Sequence, residues 1–198
     1  MTETGNLVVF CGPSGVGKGT VMALIRRDHP EIHFSISCTT RGPRPGEVEG
    51  VHYHFISEEA FAKMVAEDAF LEHACYVGNH YGTPLGPVRQ ALDDGRDVIL
   101  EIDVQGALAV KERMKDAVMV FMVPPSFQEL ERRLRGRGTE TEEKIAGRLK
   151  KAKGELALAD RFDYIVLNTR PENAEEELLA IMKARRCTME KRGYLLTR

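Results

Sequence analysis

Short apolar runs recur along the chain, and between them hydrophobic positions fall at helical spacing. "NLVVFC" (Asn6 to Cys11), "DVILEID" (Asp97 to Asp103), "AVMVFMV" (Ala117 to Val123) and "DYIVLN" (Asp163 to Asn168) have little polar interruption. Strands of that kind are buried on both faces, the habit of a parallel sheet covered by helices. Helices are predicted from about Lys18 to Arg27, Glu58 to Ala66 and Glu172 to Lys191. Two capping boxes, Ser126-Phe-Gln-Glu129 and Thr139-Glu-Thr-Glu142, predict two more, the second running towards Asp160. "IHFSISC" reads as one alternating strand, and "YHFIS" and "AFLEHACYV" as others. The expected fold is α/β, a doubly wound parallel core of residues 1–33, 85–131 and 154–198. Residues 34–84 have too many short strands for plain βα repetition, and 132–153 are dense in arginine. Both are predicted to be insertions at the edge of the core, where ligands of such folds bind.

Composition narrows the class. The chain has 198 residues, enough for one core with small insertions. Its net charge of −2 supplies no global basic field, so nucleic acid is not the expected partner and any anion site is local. No window approaches the apolar length of a membrane span. "MTETGNL" has neither the basic nor the apolar region of a signal peptide. Cys11, Cys38, Cys75 and Cys187 have no metal-ligand spacing and read as reduced, buried or semi-buried thiols, so a cytoplasmic location is expected.

The first strand runs into "GPSGVGKGT". The spacing G-x-x-x-x-G-K from Gly12 to Lys18, between a strand and a helix, is that of a phosphate loop. Its glycines let backbone N–H groups turn inward onto phosphate oxygens, and the helix N-terminus adds favourable partial charge. A nucleoside triphosphate is the expected ligand, held by Gly12, Pro13, Ser14, Gly15, Val16, Gly17, Lys18, Gly19 and Thr20. Gly19 stands where a serine or threonine hydroxyl commonly helps to hold Mg²⁺, so the metal is expected to be held through water and phosphate rather than directly by Thr20. Downstream, Arg41 and Arg44 share a Gly/Pro loop, and two guanidinium forks in such a loop suit a phosphate group.

The ordered motifs "SxSxTTRxPRxGE", "YxF", "FLE", "GxxYGTP", "EIDVQG" and "GRGTETEE" resemble those of the guanylate kinase family, from Gly12 to Arg148 and more loosely beyond. The resemblance implies transfer of the terminal phosphate of ATP to GMP, with Mg²⁺, in guanine nucleotide recycling, and with dGMP also accepted. It implies that 34–84 is the GMP-binding subdomain, with Arg41, Arg44, Tyr53 and Tyr81 on the phosphate and Ser37, Glu72 and Thr83 on guanine. The chemistry agrees, since a carboxylate accepts together from guanine N1–H and N2–H₂. Asp103, ending a core strand beside the phosphate loop, is expected to organise Mg²⁺ through water and to lie beside GMP, with Glu101 on the same side.

Residues 129–153 hold nine lysines and arginines against five acids. Lys150, Lys151 and Lys153 read as a solvated helix face. Lys18, Arg133, Arg137 and Arg148 match catalytic and lid positions of the resembling family, with 132–153 as the lid. His52, His54, His73 and His80 match no motif position and read as scaffold or surface. Two other readings fit parts of the pattern: a non-catalytic interaction module on the same fold, and a kinase for AMP, dTMP or CMP. Intact Lys18 disfavours the first, and the Ser37/Glu72 pair the second. The chain is left as monomer or homo-oligomer.

Overall fold

The computed structural model describes residues 4–136 and 141–197. In chain order the elements are β1 (Leu7–Cys11), α1 (Lys18–Asp28), β2 (His33–Phe34), β3 (Cys38–Thr39), β4 (His54–Phe55), α2 (Glu58–Ala66), β5 (Phe70–Tyr76), β6 (Asn79–Pro84), α3 (Leu85–Asp93), β7 (Val98–Glu101), α4 (Val104–Arg113), β8 (Val118–Val123), α5 (Phe127–Arg135), α6 (Glu142–Leu156), β9 (Tyr164–Leu167), α7 (Pro171–Arg186) and α8 (Met189–Arg192).

The apolar runs make one parallel sheet in the order β2-β7-β1-β8-β9. Because alternate residues of a strand face opposite ways, β1 feeds two cores at once. Val8 and Phe10 pack with Val120, Met122 and helices α1 and α7, whereas Leu7, Val9 and Cys11 pack with Met119, Phe121 and helices α3 and α4. That double burial explains the lack of polar alternation in these strands.

A second, mixed sheet has the order β4-β3-β6-β5, with β3–β4 parallel and both pairs to β6 antiparallel. Its own core is small: Cys38, Phe61 and Phe70 are buried, and the two phenyl rings stack at 4.5 Å. Few buried side chains means lower local stability than in the main sheet.

Four expectations need correction. "IHFSISC" is not one strand. His33–Phe34 pairs with β7 in the main sheet and Cys38–Thr39 with β4 and β6 in the small one, so the chain crosses between sheets at 35–37. The helix placed at Thr139 starts at Glu142 and is capped by Thr141, whose Oγ1 accepts from Lys144 N–H at 3.4 Å; Thr139 lies outside the described residues. The C-terminal helix stops at Arg186 rather than Lys191, because Thr188 caps a new short helix by accepting from Lys191 N–H. Of the four cysteines, Cys11 and Cys38 are buried but Cys75 and Cys187 are exposed.

One buried clamp ties the end of the fold to its start. Asp97 accepts from Asn6 N–H at 2.7 Å and from Arg186 Nε at 2.9 Å, while Arg186 Nη2 donates to Gly95 O at 2.9 Å. No helix among the described residues is long and apolar enough to cross a membrane.

Candidate active site

Between β1 and α1 the chain makes the glycine turn that the spacing predicts. Gly12 (φ 153°) and Gly17 (φ 104°) take backbone angles that other residues rarely adopt, and a Cβ on either would lie 2.4 Å from Met122 O or 2.7 Å from Asn168 Nδ2. No side chain caps α1 and its first turn holds no acid, which favours an anion at its N-terminus. Lys18 Nζ folds over the loop and donates to Gly12 O at 2.6 Å. From outside, Asn168 Nδ2 and Arg133 Nη1 both donate to Val16 O, at 2.8 and 3.1 Å. Arg133 also donates to Asn168 O at 3.0 Å and pairs with Glu129 at 2.8 Å. The bond to Val16 braces the loop, and Arg133 does not line the cleft that runs past Lys18.

That cleft, about 360 Å³, is continuous from the loop to the small sheet; Gly12, Ser14 and Lys18 line one end and Ser37, Tyr53, Glu72 and Tyr81 the other, with Glu101 and Asp103 between. A second cavity of about 380 Å³ is lined by Ser14, Gly15, Gly17, Lys18, Gly19, Thr20 and Glu101.

Glu72 and Thr83 face each other across β5 and β6, and Thr83 Oγ1 donates to Glu72 Oε1 at 2.6 Å. Burial pushes the Glu72 carboxyl above its ordinary value, and Asp103 adds to the shift. Gly106 gives this carboxylate room: a Cβ there would lie 3.0 Å from Glu72 Oε2. Asp103 caps α4, Oδ1 accepting from Gly106 N–H at 2.9 Å. Glu101 is open at the cleft mouth yet lies deep enough among the walls that desolvation raises its carboxyl, opposed by Lys18 and Arg26.

Arg41 is held in place before any ligand is considered. Its two terminal nitrogens grip the Glu47 carboxylate at 2.9 Å each, and Glu47 also accepts from Arg44 N–H at 2.7 Å. Arg41, then the Arg44 amide, holds the Glu47 carboxyl down at about 2. The Arg41 guanidinium lies 5.5 Å from the Tyr53 ring centroid, and Tyr53 meets Tyr81 edge-on at 6.0 Å. Arg44 is exposed beside them.

From α6, Arg148 Nη1 donates to Ser14 Oγ at 3.4 Å, and Ser14 N–H donates to Glu155 Oε2 at 3.3 Å. Arg137 lies outside the described residues. Lys151 is exposed and paired with Glu155, as a solvated face implies, and it also lines the cleft, while Lys153 lies over the Phe127 ring at 5.1 Å. Glu47, Lys151 and Glu155 are the residues that motif reading passed over. A lone acid closing an arginine-rich loop, and an acid seven residues after Arg148 on the same helix face, were the available signals. None of His52, His54, His73 or His80 lines the cleft.

Among the described residues no three acids, histidines or cysteines gather into a metal cage. Mg²⁺ suits what is present, since it keeps several waters and needs only one or two carboxylates besides phosphate oxygens.

The sequence model of the guanylate kinase family matches residues 4–185. The guanylate kinase of Halalkalibacterium halodurans is 49% identical over 96% of this chain and 93% of its own length, and that of Lactococcus lactis 52% over 93% and 90%. The crystal structure of guanylate kinase from Anaplasma phagocytophilum superposes with a TM-score of 0.76 at 30% identity, covering 96% of this chain and 91% of that one. With a phosphate loop and the Glu72 carboxylate opening onto one cleft, the chain belongs to the guanylate kinase family, whose reaction moves the terminal phosphate of ATP to GMP.

Proposed function

We propose that the two ends of the cleft divide the labour of this reaction. The loop Gly12–Thr20 holds the ATP phosphates, and Lys18 exchanges its backbone carbonyl partners for phosphate oxygens. Arg41, Arg44, Tyr53 and Tyr81 hold the GMP phosphate. Ser37, Glu72 and Thr83 read guanine, and Asp103 lies beside the nucleotide. Residues 34–84 form the acceptor subdomain and 132–153 the lid. Recognition through base and phosphate alone extends to dGMP, which carries both.

An oxygen of the GMP phosphate attacks the γ-phosphorus of ATP in line, and the bond to the β,γ-bridging oxygen breaks, leaving ADP. At pH 7 that phosphate is already largely dianionic, its second pKa being about 6, so no general base is needed. Lys18, Arg148 and Arg137 supply positive charge around the transferring group, and Arg133 keeps the loop in shape. Mg²⁺, when bound, would neutralise phosphate charge, and Asp103 and Glu101 are the residues that would hold it through water.

The carrying observation is that one cavity joins Lys18 to Glu72, whose carboxylate is held from behind by buried Thr83. The test is an ADP-release assay on the parent and Lys18→Ala, with GMP, dGMP, AMP and dTMP as acceptors. Turnover of GMP and dGMP that falls at least 10²-fold in the variant, with GMP binding retained, supports the division of labour. Loss of GMP binding, or unchanged turnover, overturns it.

A further inference from the structure

Helix α6 turns a stripe of side chains towards the cleft. Arg148, Lys151 and Glu155 stand three and four residues apart and so share one face. The outer two reach a single residue of the phosphate loop: Arg148 donates to Ser14 Oγ, and Glu155 accepts from Ser14 N–H. Lys151, between them, reaches the other way. Its ammonium lies 5.0 Å from the centroid of the Tyr76 ring, within the range of cation–π attraction, and 3.6 Å from Glu155 Oε1.

Tyr76 ends β5. Counting back in twos along the strand, Tyr76, Ala74 and Glu72 point to one side, and all three line the cleft. The strand that carries the guanine-reading carboxylate is therefore joined, through Tyr76, Lys151 and Glu155, to the backbone of the loop that holds ATP. Tyr76 is 58% exposed, and Lys151 lies over its ring.

We propose that the Tyr76–Lys151 contact is a strut that couples the acceptor and donor sites, making both side chains positioning residues for phosphoryl transfer. Movement of β5 when GMP binds shifts Lys151, and Lys151 shifts Glu155 on Ser14, so an occupied acceptor site favours the loop arrangement that grips ATP. By reciprocity, a bound ATP analogue tightens GMP binding by the same factor. The proposal rests on the assignment of guanine to Glu72 and of ATP to the loop.

The test measures the GMP dissociation constant by calorimetry, with and without a non-hydrolysable ATP analogue. The variants are Lys151→Met, Tyr76→Leu, the double variant, Lys151→Arg, and Lys150→Met on the exposed side of α6. The parent should bind GMP more tightly with the analogue present. Lys151→Met and Tyr76→Leu should each reduce that coupling about two- to fivefold, the worth of one half-exposed cation–π contact. The double variant should lose no more of the coupling than either single one. Lys151→Arg should keep the coupling, because guanidinium also stacks on a ring, and Lys150→Met should leave it untouched. No coupling in the parent, unchanged coupling in the variants, or additive losses in the double variant overturns the strut. An error in the site assignment shows differently, as GMP binding that ignores Glu72→Gln.

Discussion

Glu72 is costly to the fold, and the proposed reading of guanine gives that cost a use. Its carboxyl is raised because burial disfavours charge, and guanine offers the N–H groups that would satisfy it. A carboxyl with a raised folded pKa contributes stability while protonated, and loses that contribution as pH rises through the raised value. At pH 7 the ligand-free protein has therefore lost stability that it holds in acid. Glu72→Gln should melt at a higher temperature than the parent at pH 7, and the gap should close as pH falls to about 4, the ordinary glutamate range. The same variant should lose most of a GMP-over-AMP preference that sites of this kind raise to roughly 10⁴-fold. Melting curves across pH, and kcat/KM for both acceptors, check the two halves. A lower melting temperature at pH 7, or an unchanged acceptor ratio, would contradict them. Glu72 was legible because it interrupts an apolar strand. Glu47, which steadies Arg41, was not, since nothing in "RPGE" says which arginine the acid will meet once the loop turns.

At the scale of elements, the strands of the main sheet were readable because both faces are buried and the pattern is local. Two-residue strands were not. His33–Phe34 and Cys38–Thr39 are assigned by partners far along the chain, and no periodicity can accumulate over two residues. Helix ends were partly readable: Ser126 Oγ accepts from Glu129 N–H as predicted, but the Glu129 carboxylate pairs with Arg132 and Arg133. The clamp of Asp97 on Asn6 and Arg186 is a joint between elements that no motif announces. Asp97→Ala leaves a buried backbone N–H and a partly buried guanidinium without that acceptor, which should cost about 2 kcal/mol. For a chain of this size that is a melting temperature lower by about 4–8 °C. None of the three clamp residues lines the cleft, so activity per folded molecule should be retained. Differential scanning calorimetry with an active-site titration checks both statements.

Across the whole molecule, a large two-faced core carries the phosphate loop and a small one carries the second sheet, proposed above to hold the acceptor, and this difference is written into the cysteines. Cys11 lies at the root of the phosphate loop and Cys38 in the small core; burial pushes their thiols up to about 12 and about 11. Thiolate is the reactive form, so each is silent while its surroundings stay closed. Each is thus a clock for its own half of the enzyme. With an aromatic disulfide reagent at about pH 8, Cys75 and Cys187 should label on mixing, because they are exposed. Cys38 should follow, at the rate at which the acceptor sheet breathes, and Cys11 last, at the rate at which the main sheet opens. GMP should delay Cys38, and an ATP analogue Cys11. Mass spectrometry of timed samples reads the order directly, and labelling of Cys11 ahead of Cys38 would mean that the halves open in the reverse sequence. A protein with no tryptophan to follow by fluorescence thereby carries two native timers, one in each sheet's core.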